Sequence, residues 1–235
     1  LMNFLQRQEL GFVNIINDYY KVSQKPFLLV AGSTRIQNVI SSEKILERTF
    51  AGDEQYPDVV LQTKSLSYKI SMKGKNSPSI AGGGLRGLER SFPGLVGRFL
   101  EAANKRLISE GYKKGDNIGD VYGKISEKYK KEIVLGTPEI GGPIDYLYIG
   151  PMNVSSNQSP GRLTLNGQLI DARSFSKSEN LYLRLRKRRS DQRFDPKSKN
   201  RYGYPSILGK SPSEGSTSRI VVVSRPPGNA TIIEF

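Results

Sequence analysis

An aspartate and a lysine that could share one surface lie close together in the first third of the sequence. Asp58 stands immediately before an apolar run at residues 59–61, and Lys73 ends a stretch at residues 68–73 in which apolar and polar residues alternate. Alternation with period two is typical of a β-strand that buries one face. The two runs and the polar turn between them predict an antiparallel hairpin that brings Asp58 beside Ser71 and Lys73.

A carboxylate and an amine in this arrangement suit the hydrolysis of a phosphodiester bond. Carboxylates bind hard divalent cations, which neutralise the charge that develops on a phosphate under attack. A lysine near the metal-bound water can lower the pKa of that water or stabilise the developing charge. An alternative stays open from the residues alone, in which Asp58 only begins a turn and Lys73 is a solvated strand end.

The pattern resembles the PD-(D/E)XK nuclease superfamily, in which the aspartate and an acid on the strand bind magnesium and the lysine assists the attacking water. Ser71 stands where that strand usually carries the acid. A subgroup of type II restriction endonucleases is similar in this respect, with Ser-x-Lys on the strand and the missing glutamate on the following helix. The resemblance implies that Asp58 and Glu89 hold Mg²⁺, with Glu101 as the second choice for the migrated acid, and that Lys73 activates water.

The resemblance covers residues 57–89 only. It further implies a sequence-specific endonuclease that cleaves double-stranded DNA as a homodimer on a palindromic site and leaves 5′-phosphate and 3′-hydroxyl ends. Such an enzyme would act in the cytoplasm of a prokaryotic cell.

The composition favours a polyanionic partner and excludes several kinds of catalysis. The 235 residues include 36 Lys and Arg against 22 Asp and Glu, for a formal net charge of +14. Because neutralising phosphates releases counterions, this charge favours nucleic acid. The sequence contains no cysteine and no histidine, which excludes disulfides, thiolate zinc sites, Ser-His-Asp triads and histidine-dependent nucleases.

Size and hydropathy predict one domain over residues 1–235 and no membrane segment. The chain is long enough for one sizeable core. Its longest apolar runs, residues 27–31 and 220–223, are too short to span a bilayer, and the N-terminus lacks the pattern of a signal peptide. We expect a soluble intracellular protein.

Apolar spacing predicts the elements that must position the site. Helices are predicted at residues 2–20, 91–111 and 117–132, with a capped helical turn at 41–47. Strands are predicted at residues 27–31, 144–149, 181–186 and 218–225, and at 162–170 as a hairpin around Asn166-Gly167. Glu9 in the first helix is either solvated or, as the resemblance implies, a further metal ligand. The fold class is α/β or α+β, with a central mixed β-sheet flanked by helices.

Two further segments are candidates for contact with nucleic acid. The glycines at residues 82–87 match the letters of a dinucleotide-binding motif, but the strand and helix that this motif requires are not beside them. We therefore interpret them as a flexible loop that approaches a phosphate, with Arg86 as a clamp. The basic region, residues 181–205, carries nine positive and two negative charges between residues 184 and 201. Its arginines and aromatic rings suit phosphates and bases; the candidate residues are Arg184, Arg186, Lys187, Arg188, Arg189, Arg193 and Tyr202.

Three alternatives remain open at the level of sequence. A non-catalytic nucleic-acid-binding or virion protein would explain the charge and the missing histidines equally well. An RNA-processing nuclease would share the chemistry of a DNA nuclease. Tyr148-Ile149-Gly150 matches half of a GIY-YIG nuclease motif, although the partner half is missing.

Overall fold

The computed structural model describes residues 4–48, 55–75, 84–187, 190–209 and 219–235. The chain forms two compact units. The first unit consists of Leu1–Pro78 and Lys131–Ser178, and the second of Ser79–Lys130 and Glu179–Phe235. Because two compact units can belong to one domain or to two, the single domain over residues 1–235 stays a prediction.

Helices and strands are interspersed along the whole chain. In order they are α1 Phe4–Ser23, β1 Phe27–Ala31, β2 Thr34–Lys44, β3 Val59–Thr63, β4 Ser67–Gly74, α2 Gly84–Ser91, α3 Leu95–Ser109, β5 Val121–Lys124, α4 Glu127–Leu135, β6 Tyr146–Gly150, β7 Ser156–Ser159, β8 Arg162–Leu165, β9 Gln168–Asp171, α5 Ala172–Ser178, β10 Tyr182–Arg186, β11 Arg219–Val223 and β12 Ile232–Ile233. Among the described residues, no helix is both long and apolar enough to cross a membrane.

The first unit is built on a mixed sheet of eight strands in the order β7-β8-β1-β2-β3-β4-β6-β9. Strands β1 to β4 follow one another as an antiparallel meander. Strand β6 then joins β4 in parallel, after the chain has left the first unit and returned to it. A mixed sheet accompanied by helices confirms the predicted fold class.

Helix α1 supplies the apolar layer that covers this sheet. Its buried residues Phe12, Ile16 and Tyr19 recur at helical spacing and pack in one cluster with the inward side chains of β1, β3, β4 and β6. The Phe12 ring meets the Tyr148 ring edge to face, with 5.3 Å between centroids. The helix predicted at residues 2–20 is therefore confirmed, with its end at Ser23.

Two of the predicted helical segments contain a strand where a helix was predicted. Residues 41–44 belong to β2 and pair with β3; a single helical turn is marginal, whereas in β2 the segment gains a ladder of hydrogen bonds with β3. In the helix predicted at 117–132, residues 121–124 form β5 instead, whereas residues 127–132 are helical as predicted and belong to α4. Gly123 disfavours a helix, and its missing side chain leaves room for the Phe99 ring, which a Cβ would meet at 2.3 Å.

The predicted hairpin at residues 162–170 is also wrong. Strand β8 pairs with β7 and β1, whereas β9 pairs with β6 at the other end of the strand order. Strands in a sheet lie roughly 4.8 Å apart, so a two-residue connection cannot cross a flat sheet of this width. The sheet therefore curls until its ends approach each other, and the Thr34 hydroxyl of β2 donates to Leu169 O of β9 at 2.6 Å.

Gly167 is the residue that lets the chain pass close to the buried ring of Tyr148. A Cβ at Gly167 would lie 2.3 Å from Cζ of that ring. Gly167→Ala is therefore expected to lower the free energy of unfolding by about 1–3 kcal/mol, the range for overpacked cores, measured by urea denaturation. Gly11→Ala on α1 is the matched control, because its Cβ would meet Val154 at an ordinary 3.5 Å. An unchanged stability of Gly167→Ala would contradict the close approach.

The second unit contains a four-stranded sheet in the order β11-β10-β5-β12. The strands predicted at 181–186 and 218–225 are confirmed as β10 and β11, and Leu183 and Leu185 of β10 are buried as their alternation predicts. The helix predicted from Ser91 begins at Leu95, after Gly94 in the left-handed region with φ 77°. Of the predicted glycine loop, residues 84–87 belong to helix α2 and are therefore helical. Residues 82 and 83 lie outside the described residues.

Candidate active site

The predicted hairpin is confirmed, and it brings Asp58 against strand β4. Strands β3 and β4 pair antiparallel with Val59 opposite Ile70. The Asp58 N–H donates to Ile70 O at 2.9 Å. Its carboxylate oxygen Oδ2 accepts a hydrogen bond from Met72 N at 2.6 Å. The carboxylate is therefore fixed at the end of the hairpin by the backbone of the strand that carries Lys73.

Ser71 holds this carboxylate in place. Its side chain is fully buried, and its hydroxyl oxygen lies 3.0 Å from Tyr56 O and 3.1 Å from Asp58 Oδ2. The hydroxyl is the donor in either contact, since both partners are acceptors. Ser71 thus acts as a support for the Asp58 carboxylate.

Lys73 lies beside Asp58 in largely desolvated surroundings. Its ammonium nitrogen is 5.1 Å from the centroid of the Tyr56 ring. Tyr56 is buried and fixed by its hydroxyl, which donates to Val134 O at 2.9 Å. Burial lowers the pKa of Lys73, while the negative charges of Asp58 and then Glu9 act in the opposite direction. A lysine with a lowered pKa has more of the neutral amine that can accept a proton.

The pKa of the Asp58 carboxyl group is shifted in the opposite direction to that of Lys73. Burial raises its pKa, and the charge of Glu9 adds to this effect. The charge of Lys73 and the hydrogen bonds from Met72 and Ser71 oppose the rise in pKa. Burial therefore pushes both members of the pair toward their neutral forms, and a bound cation would favour the ionised carboxylate.

Helix α1 is locked to the sheet so that its first turns reach this end of the hairpin. The Gln8 side chain is fully buried, and its amide nitrogen donates to the carbonyl oxygens of Lys73 at 3.1 Å, Gly150 at 3.0 Å and Pro151 at 3.2 Å. Farther along the helix, Asn17 exchanges two hydrogen bonds with the backbone of Ser42 on β2, at 2.8 and 2.9 Å. These contacts fix the position of Glu9.

Glu9 belongs to the same charged cluster as Asp58 and Lys73. It is only 9% exposed, and its carboxylate pairs with the Lys44 ammonium at 2.6 Å. Its charge contributes to the pKa shifts of both Asp58 and Lys73. The interpretation of Glu9 as a solvated residue is therefore wrong. The periodicity of α1 could not reveal the burial of Glu9, because its ion-pair partner Lys44 lies on β2, distant in sequence. No sequence pattern marked Lys44 as part of the site.

The residues of this cluster fit a divalent cation with few protein ligands. Mg²⁺ is commonly held by one or two carboxylates, with waters and substrate phosphates completing its shell, and Asp58 and Glu9 supply two. The buried oxygen Oε1 of Gln8 has no hydrogen-bond partner among the described residues and, on the residue next to Glu9, is a candidate third oxygen ligand. In the part of the chain that the structure describes, no group of three or more acidic, histidine or cysteine side chains is placed so that it could hold a metal ion.

Glu89, predicted as the migrated acid, lies on α2 in the second unit. Its oxygen Oε2 accepts hydrogen bonds from the Tyr204 hydroxyl at 3.0 Å and from Gly94 N at 3.2 Å, and the bond to Glu89 raises the pKa of Tyr204. Its other oxygen is buried without a hydrogen-bond partner among the described residues. Glu101 is exposed on α3. The part of either glutamate in a metal site stays a prediction.

The basic region contains fewer free cations than its composition indicates. The Arg184 guanidinium is paired with Asp120, with Nε donating at 2.9 Å, and both side chains are 24% exposed. The Lys187 ammonium donates to Asn117 Oδ1. Arg184 and Lys187 are thus engaged within the second unit and would have to exchange partners to bind DNA.

Other candidates of this region, and Arg86 of α2, remain accessible. Arg86, Arg186 and Arg193 are exposed, although Arg193 also donates to Ser190 O at 2.6 Å. Tyr202 is 38% exposed and nearly parallel to Tyr204, with 6.2 Å between the ring centroids. The predicted contacts of Arg188 and Arg189 lie outside the described residues.

Comparison with known proteins found no relatives. No family model, no curated protein and no solved structure matches the chain. The resemblance of residues 57–89 to a nuclease superfamily therefore stays an expectation, and function is inferred from the geometry of the site.

Proposed function

We propose that this protein is a metal-dependent endonuclease that hydrolyses phosphodiester bonds in double-stranded DNA at specific sequences. The observation that supports the proposal is the cluster at the end of the β3–β4 hairpin. There Asp58 is fixed by Met72 N and Ser71, beside Lys73, whose pKa is lowered by burial. Carboxylates paired with a basic amine suit phosphodiester hydrolysis, and the net charge of +14 suits a nucleic acid.

Each residue of the cluster has a role in this proposal. Asp58 and Glu9 would hold Mg²⁺, and Glu89 is the further ligand that the resemblance implies. The bound ion supplies Lewis acidity and lowers the pKa of water. The neutral Lys73 amine accepts a proton from the attacking water, and Ser71 keeps Asp58 oriented through its hydroxyl.

The exposed cations of the second unit are the proposed DNA contacts. Arg86, Arg186 and Arg193 would neutralise phosphates, and Tyr202 offers an exposed ring for stacking. Homodimerisation on a palindromic site, and action in the cytoplasm of a prokaryotic cell, are proposed from the resemblance alone.

The rate of cleavage is expected to increase with pH. Lys73 must be neutral to accept a proton, and burial lowers its pKa, so the neutral form appears at a lower pH than the ordinary value of 10.5 allows. Asp58, whose pKa is raised by burial, must be ionised to bind the cation, which gives a dependence of the same sign. Single-turnover rates at saturating Mg²⁺ between about pH 6 and 9 would measure this. A rate that falls as the pH rises would exclude Lys73 as the base.

The proposal is tested by incubating the purified protein with a long duplex DNA in Mg²⁺ or in EDTA and resolving the products on a gel. A sequence-specific nuclease should give discrete fragments in Mg²⁺ and intact DNA in EDTA. DNA that is intact but retarded under both conditions would instead support a non-catalytic nucleic-acid-binding or virion protein. Cleavage of duplex RNA in place of DNA would identify an RNA-processing nuclease.

A further inference from the structure

The cluster contains as many ammonium groups as carboxylates. Asp58 lies beside Lys73, and Glu9 is paired with Lys44 at 2.6 Å. The side chains of the second pair are mostly shielded from water, with 11% of Glu9 and 23% of Lys44 exposed. Glu9 therefore already has a cation beside it before a metal ion binds.

We propose that the ammonium group of Lys44 occupies the position on Glu9 that a divalent metal ion takes, and that the metal ion displaces this group on binding. The inference rests on the metal site of the proposed function. An ammonium 2.6 Å from Glu9 Oε2 and a metal ion on the same carboxylate would be separated by only a few ångströms. In a shielded site their repulsion is weakly screened by solvent and salt. The two cations therefore compete for Glu9.

Lys44 can leave Glu9 without disturbing the strand that carries it. Its backbone is held at the end of β2 opposite Val59 of β3, and the next residue, Ile45, donates to Asp58 O at 3.0 Å. The four-carbon side chain is flexible and partly exposed, so the ammonium group can move into solvent while β2 and β3 stay paired. Displacement then needs a change of side-chain rotamer only.

A positioning role for Lys44 would have the opposite consequence. If the ammonium group served to hold Glu9 in the geometry that binds the metal ion, its removal would weaken metal binding. If the ammonium competes with the metal ion, its removal strengthens metal binding. The sign of the change therefore separates the two roles.

The test is Ca²⁺ binding by isothermal titration calorimetry, which needs neither substrate nor turnover. Lys44→Met is expected to tighten Ca²⁺ binding by about tenfold, comparable with the effect of one close charge on the proton affinity of a carboxylate. Lys64→Met, in the exposed turn between β3 and β4 of the same unit, is the matched control for the loss of one positive charge and should change the affinity by less than about twofold. In a Glu9→Gln background the effect of Lys44→Met should disappear.

The outcomes separate this inference from the proposed function. If the wild type binds Ca²⁺ and Lys44→Met binds it with the same or a lower affinity, the displacement is overturned and the metal site stays intact. Absence of Ca²⁺ binding in both proteins would overturn the metal site itself. Should Lys44→Met fail to fold by circular dichroism, Lys44→Gln keeps a polar side chain beside Glu9 while removing the charge, and the same increase in affinity is expected.

Discussion

Lys73→Met is expected to slow DNA cleavage by about 10²–10⁴-fold, the usual contribution of a general acid or base, with little change in affinity for duplex DNA. Methionine retains most of the apolar length of lysine against the Tyr56 ring but cannot accept a proton. Single-turnover cleavage in Mg²⁺ would measure the rate, and gel retardation in Ca²⁺ would measure the affinity. Lys64→Met removes the same charge from an exposed turn and should cleave at the wild-type rate.

Two outcomes would contradict the role of Lys73. A variant that cleaves as fast as Lys64→Met would show that the amine does not take part in the reaction. A parallel loss of cleavage and of DNA binding would indicate a contact with the phosphate backbone. The same assay separates the candidate acids, since Glu89→Ala should resemble Asp58→Ala if Glu89 is the migrated acid, and Glu101→Ala should not.

The second large effect is expected on stability. Lys73→Met leaves the Asp58 carboxylate partly buried without its neighbouring cation, and we expect a loss of about 2–3 kcal/mol in the free energy of unfolding, less than for a fully buried pair. Adding Asp58→Asn removes the uncompensated charge, while the amide oxygen can still accept the hydrogen bond from Met72 N. The double variant should therefore be more stable than Lys73→Met alone, as measured by urea denaturation at neutral pH.

Additive losses in the double variant would contradict this interpretation. They would mean that the two side chains contribute independently and that their charges are separately solvated. Raising the salt concentration provides a second check, because a shielded pair should be much less sensitive to salt than a surface pair.

The parts of the site that depend on local sequence were predictable. Asp58 and Lys73 come together because a short turn joins two strands, and alternation from Tyr68 to Lys73 fixes which side chains share a face. The register of β3 and β4 follows from the same pattern. Helix α1 was equally visible, since Phe12, Ile16 and Tyr19 recur at helical spacing over the core.

The remaining features depend on contacts between distant segments. Glu9 is brought to the site by Gln8, which binds carbonyl groups 65 residues and more away in the sequence. No periodicity in residues 2–20 reports such a contact. In the same way, Asn166-Gly167 is a strong local signal for a hairpin. In the structure, however, β8 pairs with β1 and β9 pairs with β6, and both partners are distant in sequence from the turn or separated from it by other strands.

The sequence predicts how much positive charge the basic region carries, but not how much of that charge is free to contact DNA. The sequence shows a run of arginines and lysines, and Arg184 is an obvious candidate for a phosphate contact. Asp120, 64 residues away, takes up its guanidinium group, so the positive charge that a DNA backbone would meet is smaller than the composition of the basic region indicates.

The most direct test compares wild type and Asp58→Asn on the same duplex DNA in Mg²⁺. Asparagine preserves the shape of the side chain and its acceptor for Met72 N but binds a divalent cation weakly. Discrete Mg²⁺-dependent fragments from the wild type, and intact DNA from Asp58→Asn at equal DNA binding, are the expected result. Equal fragmentation by both proteins, or intact DNA from both, would contradict a metal-dependent nuclease site at the end of the β3–β4 hairpin.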